Sequence, residues 1–204
     1  MTATGSEATP RRQQILEALA RELEQAPGQR ITTATLARSV GVSEAALYRH
    51  FPSKARMFEG LLAFAEETVF GRVGRILEEA GDAAQRCEHI LALVLGFAER
   101  NPGITRILVG DALVGETPRL RARVEQFFRR LDTQLKQVLR EGELRGELPR
   151  GLPVGAVSGL LVAAVAGRLL LYVQSGFGDP PTRDWEAQWR LLAAGLQGGA
   201  ARDA

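Results

Sequence analysis

One cysteine, two histidines, two tryptophans and two tyrosines in 204 residues leave little material for several kinds of chemistry. The lone Cys87 excludes an intrachain disulfide and a cysteine-built metal cluster, and it suits a reducing compartment. With His50 and His89 as the only imidazoles, no nucleophile, base and orienting group can be assembled from recognisable motifs. Cys87 and His89 share an amphipathic segment and read as packing and surface rather than as ligands. The 22 glycines never fall in the GxxxxGK[ST] spacing that cradles nucleotide phosphates. The expectation is a protein that is not an enzyme and needs no metal or cofactor.

Charge of one sign is also scarce, because 26 Lys+Arg against 24 Asp+Glu give a formal net charge of +2. Residues 1–60 carry eight basic against six acidic side chains, so the whole excess lies there, and a dimer would double it on one face. The start of the chain has no apolar core of a secretory signal, which leads us to expect a cytoplasmic protein. No stretch alternates in the manner of a strand, and a composition rich in Ala, Leu, Glu and Arg favours an all-α fold. The one long apolar run, LPVGAVSGLLVAAVAGRLLLYV over residues 152–173, is interrupted by Arg168 and diluted by Gly155, Gly159 and Gly167. It is expected to be an interface helix, not a membrane span.

The stretch that is most informative runs from Arg30 to Phe58, RITTATLARSVGVSEAALYRHFPSKARMF. Thr32 or Thr33 can cap a short helix whose Leu36, Ala37 and Val40 share one face. Gly41 then permits a sharp turn, which Val42 plugs. Ser43 is a second N-cap and Glu44 complements the dipole, so the spacing predicts a helix over Ala45–His50 with Ala46 and Leu47 inward. Pro52 stops it, and Ser53 caps a third helix with Lys54 in its first turn. A cation there opposes the helix dipole, which suits a phosphate contact. This is a helix-turn-helix, and its second helix is sized for a major groove of double-stranded DNA. Ser43 and Ala45 are small enough for close approach, Tyr48, Arg49 and His50 lie near the exposed end, and Thr32, Thr33 and Lys54 sit at helix starts.

Around it, Ile15, Leu16, Leu19 and Leu23 predict a first helix over about residues 10–26, ending at Pro27-Gly28. It opens on Arg11 and Arg12, which fit phosphate contact or plain surface charge. Met1–Pro10 reads as a disordered arm. Beyond the helix-turn-helix, helices are expected over about 54–80, 83–100, a shorter ITRILVGDAL segment ending before Gly115, 118–141, 154–174 and 184–196. Gly71 and Gly74 in the first of these suggest a bend or close packing. Gly142–Pro153 reads as a connector, and the tail after Gln197 should fray. Small residues through 154–174 let helices approach closely, so the last two helices are expected to form a four-helix homodimer interface. Residues 1–55 would form the arm and DNA-binding head, and 56–204 a helical dimerisation and partner-docking domain.

GVSEAALYRHFPSKARMF resembles the DNA-binding domain of the TetR family in its GVS turn, its recognition-helix tyrosine and its HF-x-x-K segment. ITTATLARSVGVSEAALYRHFPSKARMF together with GFAERNPGITRIL is similar, more closely, to the nucleoid occlusion factors of the SlmA type within that family. The resemblance implies a TetR-like three-helix head on a larger helical body. It also implies a dimer that binds palindromic chromosomal sites, and a nucleoid-associated protein that binds the tubulin-like division protein FtsZ and antagonises its assembly. Carried onto this chain, it implies FtsZ docking at Phe64, Arg72, Leu93, Gly96, Arg100 and Asn101. From the residues alone GFAERNPG reads first as a helix end, with Asn101 near the cap and Arg100 satisfying the dipole, and it is the resemblance that turns the reading to docking. The alternative is a TetR-type repressor whose body takes a small molecule and releases DNA.

Overall fold

The computed structural model describes residues 8–26, 29, 31–79 and 81–198, and the regular structure among them is helical. The helices are α1 (Ala8–Gln25), α2 (Thr33–Val40), α3 (Glu44–His50), α4 (Lys54–Glu78), α5 (Ala83–Arg100), α6 (Pro102–Leu108), α7 (Pro118–Arg145), α8 (Val154–Gln174) and α9 (Trp185–Gly198), with a single 3₁₀ turn at Asp111–Leu113. Of the expected arm Met1–Pro10, the residues up to Glu7 lie outside the described residues, as do Pro27-Gly28, Arg30, Ala80 and the tail from residue 199, whereas Ala8–Pro10 already form the first turn of α1 and are no arm.

Two compact units divide the chain. The first holds residues up to Ala65 together with Asn101–Val124, and the second holds Glu66–Arg100 and Glu125 onward. This packing division differs from the functional one drawn between residues 55 and 56, since α6 belongs with α1 despite its place in the sequence.

In the first unit, Ile15, Leu19 and Leu23 of α1 are fully buried with Leu36, Leu47, Phe51, Met57, Phe58 and Leu62. The α1–α6 contact is close, with the Gly103 backbone set against that of Ala20. A Cβ on Gly103 would lie 2.0 Å from the carbonyl oxygen of Ala20, a distance only glycine permits. Next to it Arg106, 1% exposed, donates to the carbonyls of Leu23 at 2.7 Å and Ala26 at 2.8 Å and pairs with Asp111 at 2.5 Å. A buried guanidinium thus satisfies carbonyls at the C-terminal end of α1 that the helix itself leaves without donors.

In the second unit, α5 buries Cys87, Ile90, Leu91, Val94, Leu95, Phe97 and Ala98 and packs against α8 and α9. Phe127, Leu131, Leu135, Val138 and Leu139 form the buried stripe of α7, and the Phe127 ring lies 5.2 Å from that of Phe70. α8 is long and apolar enough, by length and composition, to cross a membrane. Its Ser158, Leu161, Val165, Leu169 and Tyr172 are nevertheless buried within the unit. Arg168 donates to the carbonyls of Pro181 and Arg183 and to Gln188, which fixes the loop between α8 and α9. Burial lowers its pKa, against the raising influence of Asp179 and Asp184.

Three further expectations meet the structure differently. ITRILVGDAL does not continue as one helix, because α6 ends at Leu108 and Gly110, at φ +81°, turns the chain into the 3₁₀ turn. Gly142 does not open the connector. It lies inside α7, where an added Cβ would stand 2.3 Å from the Cβ of Ala83, and the helix stops instead at Gly146 with φ +75°. Of the bend or close packing expected at Gly71 and Gly74, close packing is absent among the described residues, since nothing lies within 4 Å of a Cβ at either.

Candidate nucleic-acid interface and docking residues

The helix-turn-helix is built by its caps. Thr32 Oγ1 accepts from the amide of Thr35 at 3.1 Å, which selects Thr32 rather than Thr33 as the cap of α2. Gly41 takes the left-handed conformation at φ +72°, and Val42 donates to the Ala37 carbonyl at 3.0 Å, closing α2. Ser43 Oγ accepts from Ala46 at 3.2 Å and starts α3. Thr33 then donates to the Glu44 carboxylate at 2.7 Å, locking α2 to α3 across the turn. That bond has no signature in sequence beyond the two residue types.

Because successive helical residues are rotated by about 100°, burying Leu47 turns its neighbours Tyr48 and Arg49 outward. Tyr48 is 43% exposed, and Ser43, Ala45, Arg49 and Thr32 are exposed as well. Thr33, His50 and Lys54 are half-buried. Lys54 does stand in the first turn of α4, whose start Ser53 caps by accepting from Arg56 at 3.3 Å. It is already paired, however, with its Nζ 2.6 Å from Glu116. Sequence reasoning also passed over the final turn of α3, where Arg12 donates to the His50 carbonyl at 2.6 Å.

The six docking candidates fall in both units. Phe64, 42% exposed, and Asn101 are in the first, where both line a cleft of about 230 Å³ together with Leu61 and with Leu16, Glu17 and Ala20 of α1. Nothing in the sequence order announces that α1 contributes to this cleft. Arg72, Leu93, Gly96 and Arg100 are in the second unit. Arg72 and Arg100 are exposed, and Leu93 and Gly96 half-buried. The Arg100 guanidinium lies over Gly96, with Nη1 3.4 Å from where a Cβ would be. Gly96 therefore seats the arginine, as the i, i+4 spacing on a helix allows.

Cys87 is fully buried while His89 is exposed, so the two do not form a pair. Burial, then the charge of Asp82, pushes the Cys87 thiol up to about 12, which removes the thiolate that nucleophilic or metal chemistry would need.

The chain matches known families along most of its length. Residues 15–61 match the family described as bacterial regulatory proteins, tetR family, and residues 81–197 match an SlmA-like family described as tetracyclin repressor-like, C-terminal domain. The nucleoid occlusion factor SlmA of Alteromonas mediterranea is 58% identical over 181 residues, covering 89% of this chain and 93% of the relative. That of Marinomonas sp. is 54% identical over 186 residues, covering 91% and 94%. Among solved structures, the MbdR regulator from Azoarcus sp. CIB superposes with TM-score 0.74 at 18% identity, covering 90% of this chain and 97% of the other. FadR from Bacillus subtilis, in complex with stearoyl-CoA, gives 0.72 at 16%, covering 91% and 99%. At these identities the likeness is one of fold. The chain belongs to the SlmA nucleoid occlusion factors, TetR-like DNA-binding proteins.

Proposed function

We propose that this protein binds specific palindromic sites on chromosomal double-stranded DNA as a homodimer, and from there binds FtsZ and antagonises its assembly, so that division does not occur over the nucleoid. It would act in the cytoplasm, associated with the nucleoid. DNA would be met by Thr32, Thr33, Ser43, Ala45, Tyr48, Arg49, His50 and Lys54, with base edges read from α3 and phosphates held at helix starts. FtsZ would dock on Phe64, Arg72, Leu93, Gly96, Arg100 and Asn101, the arginines meeting acidic groups. The homodimer reading is supported by α8 and α9, whose Leu160, Leu171 and Leu191 are exposed although a partner helix would cover them.

The observation that carries the reading is that Phe64 and Asn101, far apart in sequence, line one cleft whose other wall is α1 of the DNA-binding head. A head held by DNA would fix that wall, so DNA and FtsZ should favour each other's binding. Linkage makes the factor the same in both directions, and a coupling of about 1 to 3 kcal/mol is ordinary. The test is sedimentation of FtsZ polymers with and without bound DNA. Arg72→Asp and Arg100→Asp are expected to abolish the effect on assembly while DNA affinity stays near that of the wild type. Both reversals acting like the wild type would misplace the docking residues, and no FtsZ binding even with DNA would favour the ligand-released repressor.

A further inference from the structure

We propose that Arg12 positions the recognition helix by clamping its C-terminal end, and does not contact a phosphate. The proposal rests on reading α3 as the helix that meets DNA. Both groups that Arg12 engages belong to the end of α3. Its Nη1 donates to the His50 carbonyl at 2.6 Å, and its Cζ lies 4.3 Å from the centre of the Phe51 ring. Phe51 is itself fixed, at 1% exposed, and its amide donates to the Leu47 carbonyl at 3.1 Å as the C-cap.

A seven-residue helix has little cohesion of its own, since each terminus leaves backbone groups without intrahelical partners. The N-terminal end of α3 is held by the Ser43 cap and by the Thr33–Glu44 bond, and its middle by Leu47, the one buried side chain in it. Its C-terminal end carries Arg49 and His50 and has Arg12 from α1. A guanidinium is suited to this place. Its planar face stacks on the ring while its edge reaches the carbonyl, and its charge is favourable at the negative end of a helix. Arg12 thus joins α1 to α3 and sets the orientation in which Tyr48 and Arg49 are presented.

The two roles for Arg12 separate in the salt dependence of binding. The probes are a duplex selected by the wild-type protein from a random-sequence pool and an unselected duplex of equal length, each titrated at several salt concentrations. Arg12→Ala is expected to lose about fivefold to tenfold in affinity for the selected duplex and much less for the unselected one, at unchanged salt slope. Arg12→Gln, neutral but still an N–H donor, is expected to recover part of that loss at the same slope. Arg12→Lys, charged but unable to stack in plane, should recover part as well. A slope shallower by about one unit in both the Ala and Gln variants would make Arg12 a phosphate contact and overturn the proposal. Full affinity in Arg12→Ala would overturn it too. A wild-type protein without preference for the selected duplex would instead remove the reading of α3 as the DNA helix, a failure seen before any variant is made.

Discussion

The outward faces of α2 and α3 and those of α8 and α9 are made of opposite materials. The first presents Thr32, Ser43, Tyr48 and Arg49, side chains whose polar groups are at ease in water and equally so against phosphates and base edges. The second presents Leu160, Leu170, Leu171 and Leu191, with Gly159 and Ala163 between them. Covering a leucine fully is worth about 1.5 to 3 kcal/mol, so a row of them on the surface is a partner face in waiting. The first sits on helices of eight and seven residues and the second on helices of 21 and 14, but length does not decide what either can bind. What differs is the chemistry of the group each can receive, a polyanion in one case and another apolar helix in the other.

Two glycines test whether that difference is real. Gly103 packs α6 against α1 in the unit that carries the first surface, and an alanine there puts a Cβ 2.0 Å from the Ala20 carbonyl oxygen, backbone that cannot swing aside. Gly103→Ala should destabilise the protein by about 3 kcal/mol or more, read as a lowered thermal midpoint together with loss of DNA binding. Gly159 has nothing within 4 Å of a Cβ. Gly159→Trp should therefore leave the subunit folded yet disrupt the homodimer, measured by sedimentation, and weaken DNA binding without touching the head. A wild type that is monomeric at micromolar concentration would rule out α8 and α9 as the dimer face.

Smaller effects sharpen the contrast. Tyr48→Ala and Arg49→Ala should each cost about 1 to 3 kcal/mol on a selected duplex where they touch bases, and a folded double variant that binds like the wild type would remove α3 from the interface. Under the apolar face, Ser158 donates to Asp132 and ties α8 to α7. Burial raises the Asp132 pKa, but bonds from Lys136 and Ser158 and the Lys136 charge outweigh it, so the carboxyl lies below its ordinary value. A depressed carboxyl contributes stability above its unfolded value that is lost as pH falls through the folded one. Ser158→Ala should cost about 1 kcal/mol at neutral pH, with a smaller difference from the wild type in acid.

Local chemistry was what the sequence made legible. Thr32, Gly41, Ser43 and Ser53 act within a few residues of themselves, and the helix boundaries at 83–100 and 154–174 fell where the apolar period and its breakers put them. What escaped was long-range. Pro102-Gly103 reads as a helix breaker, whereas Gly103 is there for the close approach of α1. Gly142 likewise looks like the start of a connector, whereas it is there for the close approach of Ala83. Arg106 in a polar-looking ITRIL segment gives no hint that it will be buried with carbonyls of α1 as acceptors. Arg12 reads in sequence as a phosphate contact or a surface charge, and its bond to the His50 carbonyl, 38 residues away, has no local signature.

Lys54 is the residue on which the polar face can be tested most finely. A cation in the first turn of α4 opposes the helix dipole, which suited a phosphate contact, and the Glu116 carboxylate 2.6 Å from its Nζ is a partner that does the same service when no DNA is present. The pair is largely shielded, at 18% and 10% exposed, so Lys54 reaches a phosphate only by giving up Glu116. While Glu116 neutralises Lys54, that lysine does not displace a cation condensed on a phosphate, and the carboxylate repels an arriving phosphate. Glu116→Gln removes both effects. We expect it to raise affinity for selected and unselected duplexes alike by about twofold to fivefold and to steepen the salt slope by nearly one unit. Glu24→Gln, at an exposed position of the same unit, is the control for lost negative charge alone and should leave the slope unchanged. If Glu116→Gln and Lys54→Gln both leave affinity and slope as they were, Lys54 is half of an internal ion pair, and the polar face ends at α3.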